Sequence, residues 1–198
     1  MVGSENKSVR RFTVDTKVID QYIDDLMTKS TAEIPVWNIE KARAGVKSGW
    51  DYIDGCMIMA LLELYDTSKD EKFLKFADYY EDYRIHEDGT IDGFKKDEWN
   101  IDSINGGKNL FPLYSLTKKE KYRLALEKIY EQVKNQPRTK EGNFWHKEIY
   151  PHQVWLDGLY MGLPFYMEYD ATFNGGKNKE DIYNQFFNVE RLMKNPAD

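Results

Sequence analysis

Trp50-Asp-Tyr-Ile-Asp-Gly-Cys-Met-Ile-Met-Ala-Leu-Leu-Glu-Leu-Tyr65, Ile101-Asp-Ser-Ile-Asn-Gly-Gly-Lys-Asn-Leu-Phe-Pro-Leu-Tyr114 and Trp155-Leu-Asp-Gly-Leu-Tyr-Met-Gly-Leu-Pro-Phe-Tyr-Met-Glu-Tyr169 are three readings of one pattern. Each sets an acid and a glycine near its start and closes on a tyrosine. In the first, Ile53, Cys56, Met57, Ala60, Leu61 and Leu64 recur three and four apart, which is one helix face held over four turns. The pattern returns after about 50 residues, the length of one inner and one outer helix joined as a hairpin. A ring of such hairpins would bring the starts of all its inner helices to one end. The acids near those starts would then converge on a single pocket.

Similar periodicity covers 18–27, 73–83, 110–116, 122–133, 154–167 and 182–193, and no stretch alternates as a strand would. The class read from this is all-α, with about seven helices in one domain spanning 1–198. Turn chemistry sets the breaks at Glu87-Asp88-Gly89, Asn105-Gly106-Gly107, Gln136-Pro137, Gly142-Asn143 and Asn174-Gly175-Gly176.

Composition narrows the function. Net charge is -6 and the basic residues are scattered among acidic ones, so no positive field is laid out for a phosphate backbone and nucleic acid is not an expected partner. The opening MVGSENKSVRRF has no apolar run to act as a leader core, no stretch is apolar enough to span a membrane, and a single cysteine excludes an internal disulfide framework. A cytoplasmic protein is expected. Gly106-Gly107-Lys108 and Gly175-Gly176-Lys177 lack the phosphate-loop spacing, and no G-x-S-x-G elbow is present. Cys56, set between Ile53 and Met57, reads as a buried thiol and not a nucleophile.

The chemistry-bearing residues are densest in Asn143-Phe-Trp-His-Lys-Glu-Ile-Tyr-Pro-His-Gln-Val-Trp-Leu-Asp-Gly158. Here Trp145, His146, Lys147, His152, Trp155 and Asp157 gather around a helix entrance. Rings beside acids and imidazoles suit a sugar, whose C–H face stacks on Trp while its hydroxyls bond polar groups. Asp157, flanked by Trp155, Leu156 and Tyr160, would be kept protonated by desolvation. The helix dipole opposes this by about 0.3 to 1 kcal/mol, and a second acid, Asp102, would help desolvation win. The plain alternative is that an acid early in a helix is a cap or dipole partner. His146, His152 and Asp157 match no standard ligand spacing, so neither metal nor other cofactor is expected.

At Trp50-Asp-Tyr, Asp102-Ser-Ile-Asn-Gly-Gly, His146-Lys and His152-Gln-Val-Trp-Leu-Asp-Gly-Leu-Tyr-Met-Gly-Leu-Pro-Phe165 the chain resembles the unsaturated rhamnogalacturonyl hydrolases of glycoside hydrolase family 105. The similarity runs from about Ile34 onward and fills the first half of the usual family length. The resemblance implies an αα-hairpin toroid, about half of an (α/α)6 six-hairpin barrel. It implies Asp157 as general acid, Asp102 as the second acid and His146 as a polar active-site residue. Tyr52, Lys147, Trp155 and Met161 would line the sugar pocket. The implied reaction releases a 4,5-unsaturated galacturonic acid from pectin oligosaccharides by protonation of C4=C5. Water then adds at C5, with Asp102 or His146 as the group that activates it. A glucuronyl hydrolase like those of family 88, or a binding protein without turnover, are the alternatives. Half a ring would expose apolar flanks, and a homodimer is the expected cover.

Overall fold

The computed structural model describes residues 16–195, and the opening segment read for a leader lies outside them. Among the described residues are eight α-helices: α1 (Lys17–Lys29), α2 (Ile39–Ala44), α3 (Tyr52–Ser68), α4 (Glu71–Arg84), α5 (Leu110–Thr117), α6 (Glu120–Asn135), α7 (Leu156–Phe173) and α8 (Lys179–Met193). Two 3-10 segments, Lys96–Glu98 and Ile101–Asn109, precede α5. The seven expected helices are all present. The eighth, α2, is a six-residue turn too short to show a period.

Three hairpins stand side by side: α3 with α4, the second 3-10 segment and α5 with α6, and α7 with α8. The 3-10 segment packs against both α3 and α7, so these three form the inner layer. The outer helices follow the rule for a stripe that must be buried on one side. In α6, Tyr122, Ala125, Leu126, Ile129 and Val133 are buried in a core shared with Ile58, Leu61, Ile104, Leu113 and Phe165 of the inner layer. Local chemistry sets the ends. Asp51 accepts the Ile53 N–H at 2.9 Å to cap α3, and Asp70 accepts the Lys72 N–H at 3.0 Å to cap α4. This is the all-α hairpin toroid fragment expected from the repeat, and none of its helices is long and apolar enough to cross a membrane.

Three expectations are corrected. Asn105-Gly106-Gly107 is not a break, because the chain runs through it in 3-10 geometry into α5. Its glycines serve close packing. A Cβ on Gly106 would stand 2.8 Å from the Trp50 ring, one on Gly107 would stand 2.7 Å from Phe165, and one on Gly55 of α3 would stand 3.0 Å from the Gly106 backbone. Asp54, the acid of the first repeat, does not join a common pocket. It is buried behind α3, where it accepts hydrogen bonds from the Trp37 indole at 2.8 Å and the Ser48 hydroxyl. Cys56 is exposed, because the face of α3 that carries it looks across the inner layer and not into the core.

The same inner face leaves apolar side chains open, as half a ring requires: Leu156 is 63% exposed, Tyr160 52% and Ile53 37%. Within α7, Pro164 has no N–H to offer the carbonyl four residues earlier, that of Tyr160. The ammonium of Lys108 takes that place at 3.2 Å.

Candidate active site

The loop between α6 and α7 is fixed by its own backbone. His146 donates its N–H to the Gln153 carbonyl at 2.8 Å and accepts from the Ile101 N–H at 3.0 Å, so the loop is tied to the first residue of the 3-10 segment. Gln136 clamps it further, donating to the carbonyls of Trp99 and Trp145. Two bridges, Arg138 with Phe144 and Lys147 with Tyr150, close it into a pair of turns. The ring of His146 is thereby set between the starts of two inner elements, with Asp102 on one side and Asp157 on the other.

The His146 ring is fully buried. Its Nε2 lies 3.6 Å from Asp102 Oδ1 and its Nδ1 lies 3.9 Å from Asp157 Oδ1. Lys147 places its ammonium 2.7 Å from the other oxygen of Asp102. Burial holds the imidazole below its ordinary pKa, against the pull of the Asp102 and Asp157 carboxylates, which favour the charged ring. Gly158 makes the room. A Cβ there would stand 3.1 Å from His146 Nδ1, a tight contact that would push the ring and the first turn of α7 apart by a few tenths of an ångström.

Asp157 itself departs from the expected enclosure, since its side chain is 50% exposed. In this chain the inner face in front of it is open. Nor does it cap its helix, which has no side-chain cap. It lies in the first turn of α7, where the helix dipole favours a carboxylate as the plain reading holds, and His146 Nδ1 stands 3.9 Å away, beyond hydrogen-bond reach.

Trp155, expected to line the sugar pocket, stands in a stack of rings beside the acids. Its indole stacks on His146 with centroids 4.2 Å apart and 11° between planes. Tyr150 stacks on it at 5.2 Å and 20°. Trp155 nevertheless remains 40% exposed, and its N–H is held by Gln153 Oε1 at 2.9 Å. Tyr150 is the outer ring of the stack and was not singled out in the sequence, where only its position five residues before Trp155 hints at the pairing.

Of the other predicted residues, Lys147 joins the site through Asp102. Met161 lies one turn beyond Asp157 on α7, half-buried against the core. Tyr52 opens α3, is 43% exposed, and is tied to the 3-10 segment by its carbonyl, which accepts from Asn105. His152 leaves the group: it meets Trp145 edge-on at 4.4 Å and lines a separate groove of about 350 Å³ with Asn143, Asn188 and Leu192. The histidine pair weighed as metal ligands is therefore split. Asp102, His146 and Asp157 do offer ligand atoms within 4.8 Å of one another. The Lys147 ammonium on Asp102 already supplies positive charge there, which disfavours a divalent cation. The set instead suits proton transfer at an exposed carboxyl backed by a buried imidazole and an ion-paired acid.

The profile of Glycosyl Hydrolase Family 88 matches residues 18–198. Among solved structures, the chain is similar to a glycoside hydrolase from family 105 of C. acetobutylicum ATCC 824, with 40% identity and a TM-score of 0.77. The match covers 89% of this chain and 46% of that one, so the chain spans about half the length of that enzyme. The resemblance to family 105 is upheld by the second finding, and the helical toroid fragment with it. With the profile running over nearly all of its length, the chain belongs to glycosyl hydrolase family 88 and shares its fold with family 105.

Proposed function

We propose that this chain carries the catalytic acid of an unsaturated glycuronyl hydrolase acting on pectin-derived oligosaccharides. The observation that supports it is the seating of Asp157 at the open inner face, 3.9 Å from a buried His146 whose other ring nitrogen stands 3.6 Å from the ion-paired Asp102. Asp157 gives its proton to C4 of the C4=C5 double bond, water adds its oxygen at C5, and the water's second proton must be taken up. His146 is fully buried and Asp102 is held by Lys147, so the exposed base on that face is the Asp157 carboxylate left by the first transfer. The resulting hemiketal opens, the C1 to O bond to the rest of the oligosaccharide is lost, and an open-chain keto acid departs. His146 and Asp102 are then positioning residues, and Lys147 holds Asp102 in place at 2.7 Å.

Unsaturated uronates absorb in the ultraviolet and hydration removes that absorbance. With a lyase-generated disaccharide linked through rhamnose, the wild-type chain should bleach the absorbance, and Asp157→Asn should slow it at least about a hundredfold. Bleaching that survives the substitution unchanged would sink the assignment of the acid. An amino-sugar-linked substrate run beside it separates the pectin reading from a glycosaminoglycan one. The 50% exposure of the Asp157 side chain favours a second reading, sugar binding without turnover, since a carboxyl donor works best in a water-excluded site. That reading predicts tryptophan quenching by the disaccharide with no loss of absorbance.

A further inference from the structure

Outside the acid pair, Lys108 is a buried cation of the inner layer with no counter-charge among the described residues. Lys108 is 9% exposed, and among the described residues no carboxylate lies within ion-pair distance of its ammonium. One N–H is taken by the neutral Tyr160 carbonyl left free by Pro164, and the Tyr160 ring lies over the nitrogen at 3.9 Å. The titratable groups facing it are Cys56 from α3 and Tyr160 from α7. Burial without an anion lowers its pKa to about 8.

Three residues earlier on the same 3-10 segment stands Asn105, fully buried. Side chains three apart in 3-10 geometry eclipse, so Asn105 and Lys108 share one face. The Asn105 amide donates to the Tyr52 carbonyl at 3.2 Å and to Cys56 Sγ at 3.4 Å, while its Oδ1 has no partner. A buried cation lacking an anion and a buried acceptor lacking a donor thus lie on one face. Asn105 touches Cys56, which is exposed, and Lys108 touches Tyr160, which is half-exposed, so the pair lies just beneath the open inner face. Buried polar groups are seldom left unmatched, and a hydroxy acid supplies both missing partners at once.

We propose that Lys108 and Asn105 form a second acidic-sugar site on the inner face, one helical turn along α7 from Asp157, with Lys108 taking the sugar carboxylate and Asn105 a hydroxyl. The choice of an acidic sugar rests on the uronate reading above; the site itself rests on the unmatched pair. It differs from the acid pair in needing no proton transfer, so it can be tested with a sugar that cannot turn over.

Cys56 is the sole cysteine, which makes its alkylation a clean reporter at the mouth of the site. The wild-type chain is treated with N-ethylmaleimide in the presence of saturated galacturonate or of galactose, and the adduct is followed by mass spectrometry. At about ten times its dissociation constant galacturonate should slow alkylation about tenfold, whereas galactose should leave the rate unchanged. Asp157→Asn should retain the protection and Lys108→Met should lose it. Equal rates with both sugars, or protection that persists in a folded Lys108→Met variant, overturn the proposal. Should that variant lose its helical circular dichroism, the wild type decides. The ratio of rates with and without galacturonate should fall as pH rises past about 8, where the free ammonium deprotonates; a ratio flat to high pH refutes the site. Because the probe is saturated, this outcome is independent of the bleaching assay, which alone judges Asp157.

Discussion

Gly158 shows how much of the site depends on an absent side chain. Its missing Cβ sets the approach of α7 to His146, so Gly158→Ala should disturb geometry more than stability. Alanine raises helix propensity by up to about 1 kcal/mol, which offsets the tight contact, while a displacement approaching 1 Å can cost about a hundredfold in rate. The expected result is a near-constant melting temperature with turnover reduced about tenfold or more; a large loss of stability at full turnover would refute this role. Glu81 gives a second residue-level test. Burial pushes its carboxyl up to about 7, opposed by the Asn109 amide at 3.2 Å and by Arg84. Between its ordinary 4.5 and 7 the folded chain holds a proton that the unfolded chain releases, so this group costs stability as pH rises through that window. Glu81→Gln should therefore gain up to about 3 kcal/mol relative to wild type between pH 5 and pH 8, read by urea unfolding at both.

At the scale of elements, α7 and the 3-10 segment solve one problem together. Pro164 strips Tyr160 of its helical partner and Lys108 restores one. In a Pro164→Ala background the carbonyl regains an N–H, so Lys108→Met should then cost less stability than it does in wild type. The coupling expected from a double-mutant cycle is about 0.5 to 1.5 kcal/mol, the net worth of one hydrogen bond; strict additivity would show that Lys108 does not serve this carbonyl. The helices themselves were readable because their apolar periods are long, as in α3 and α6. The run through Asn105-Gly106-Gly107 was not. Glycine pairs signal turns on local grounds, and only the close approach of Trp50, Gly55 and Phe165 reveals them as packing glycines.

For the whole molecule, the open inner face is the dominant feature. Leu156, Tyr160 and Met167 of α7 are 63%, 52% and 40% exposed, a stretch of apolar surface that water penalises by about 25 cal/mol per Å². The homodimer expected from the sequence would cover it. Sedimentation velocity should then report twice the 23.4 kDa chain mass, with Leu156→Lys shifting the boundary to monomer; a monomer at micromolar concentration removes that expectation.

By itself the sequence determined the helical class, the hairpin repeat and the gathering of His146, Lys147, Trp155 and Asp157, because each is written in spacing along one segment. Tertiary structure alone decided which repeated acid matters. Asp102 and Asp157 flank one imidazole, whereas Asp54, which stands directly before its glycine as Asp157 does, is buried against Trp37 and Ser48. It also decided that His152 faces another groove, that Trp155 stacks on rings of the chain itself, and that Lys108 meets no acid among the described residues. The approach of Asp102 to His146 and of Lys108 to Tyr160 joins segments 44 and 52 residues apart, and the ring contacts depend on how one loop folds back on itself; a period fixes how often a side chain recurs without fixing what will stand opposite it.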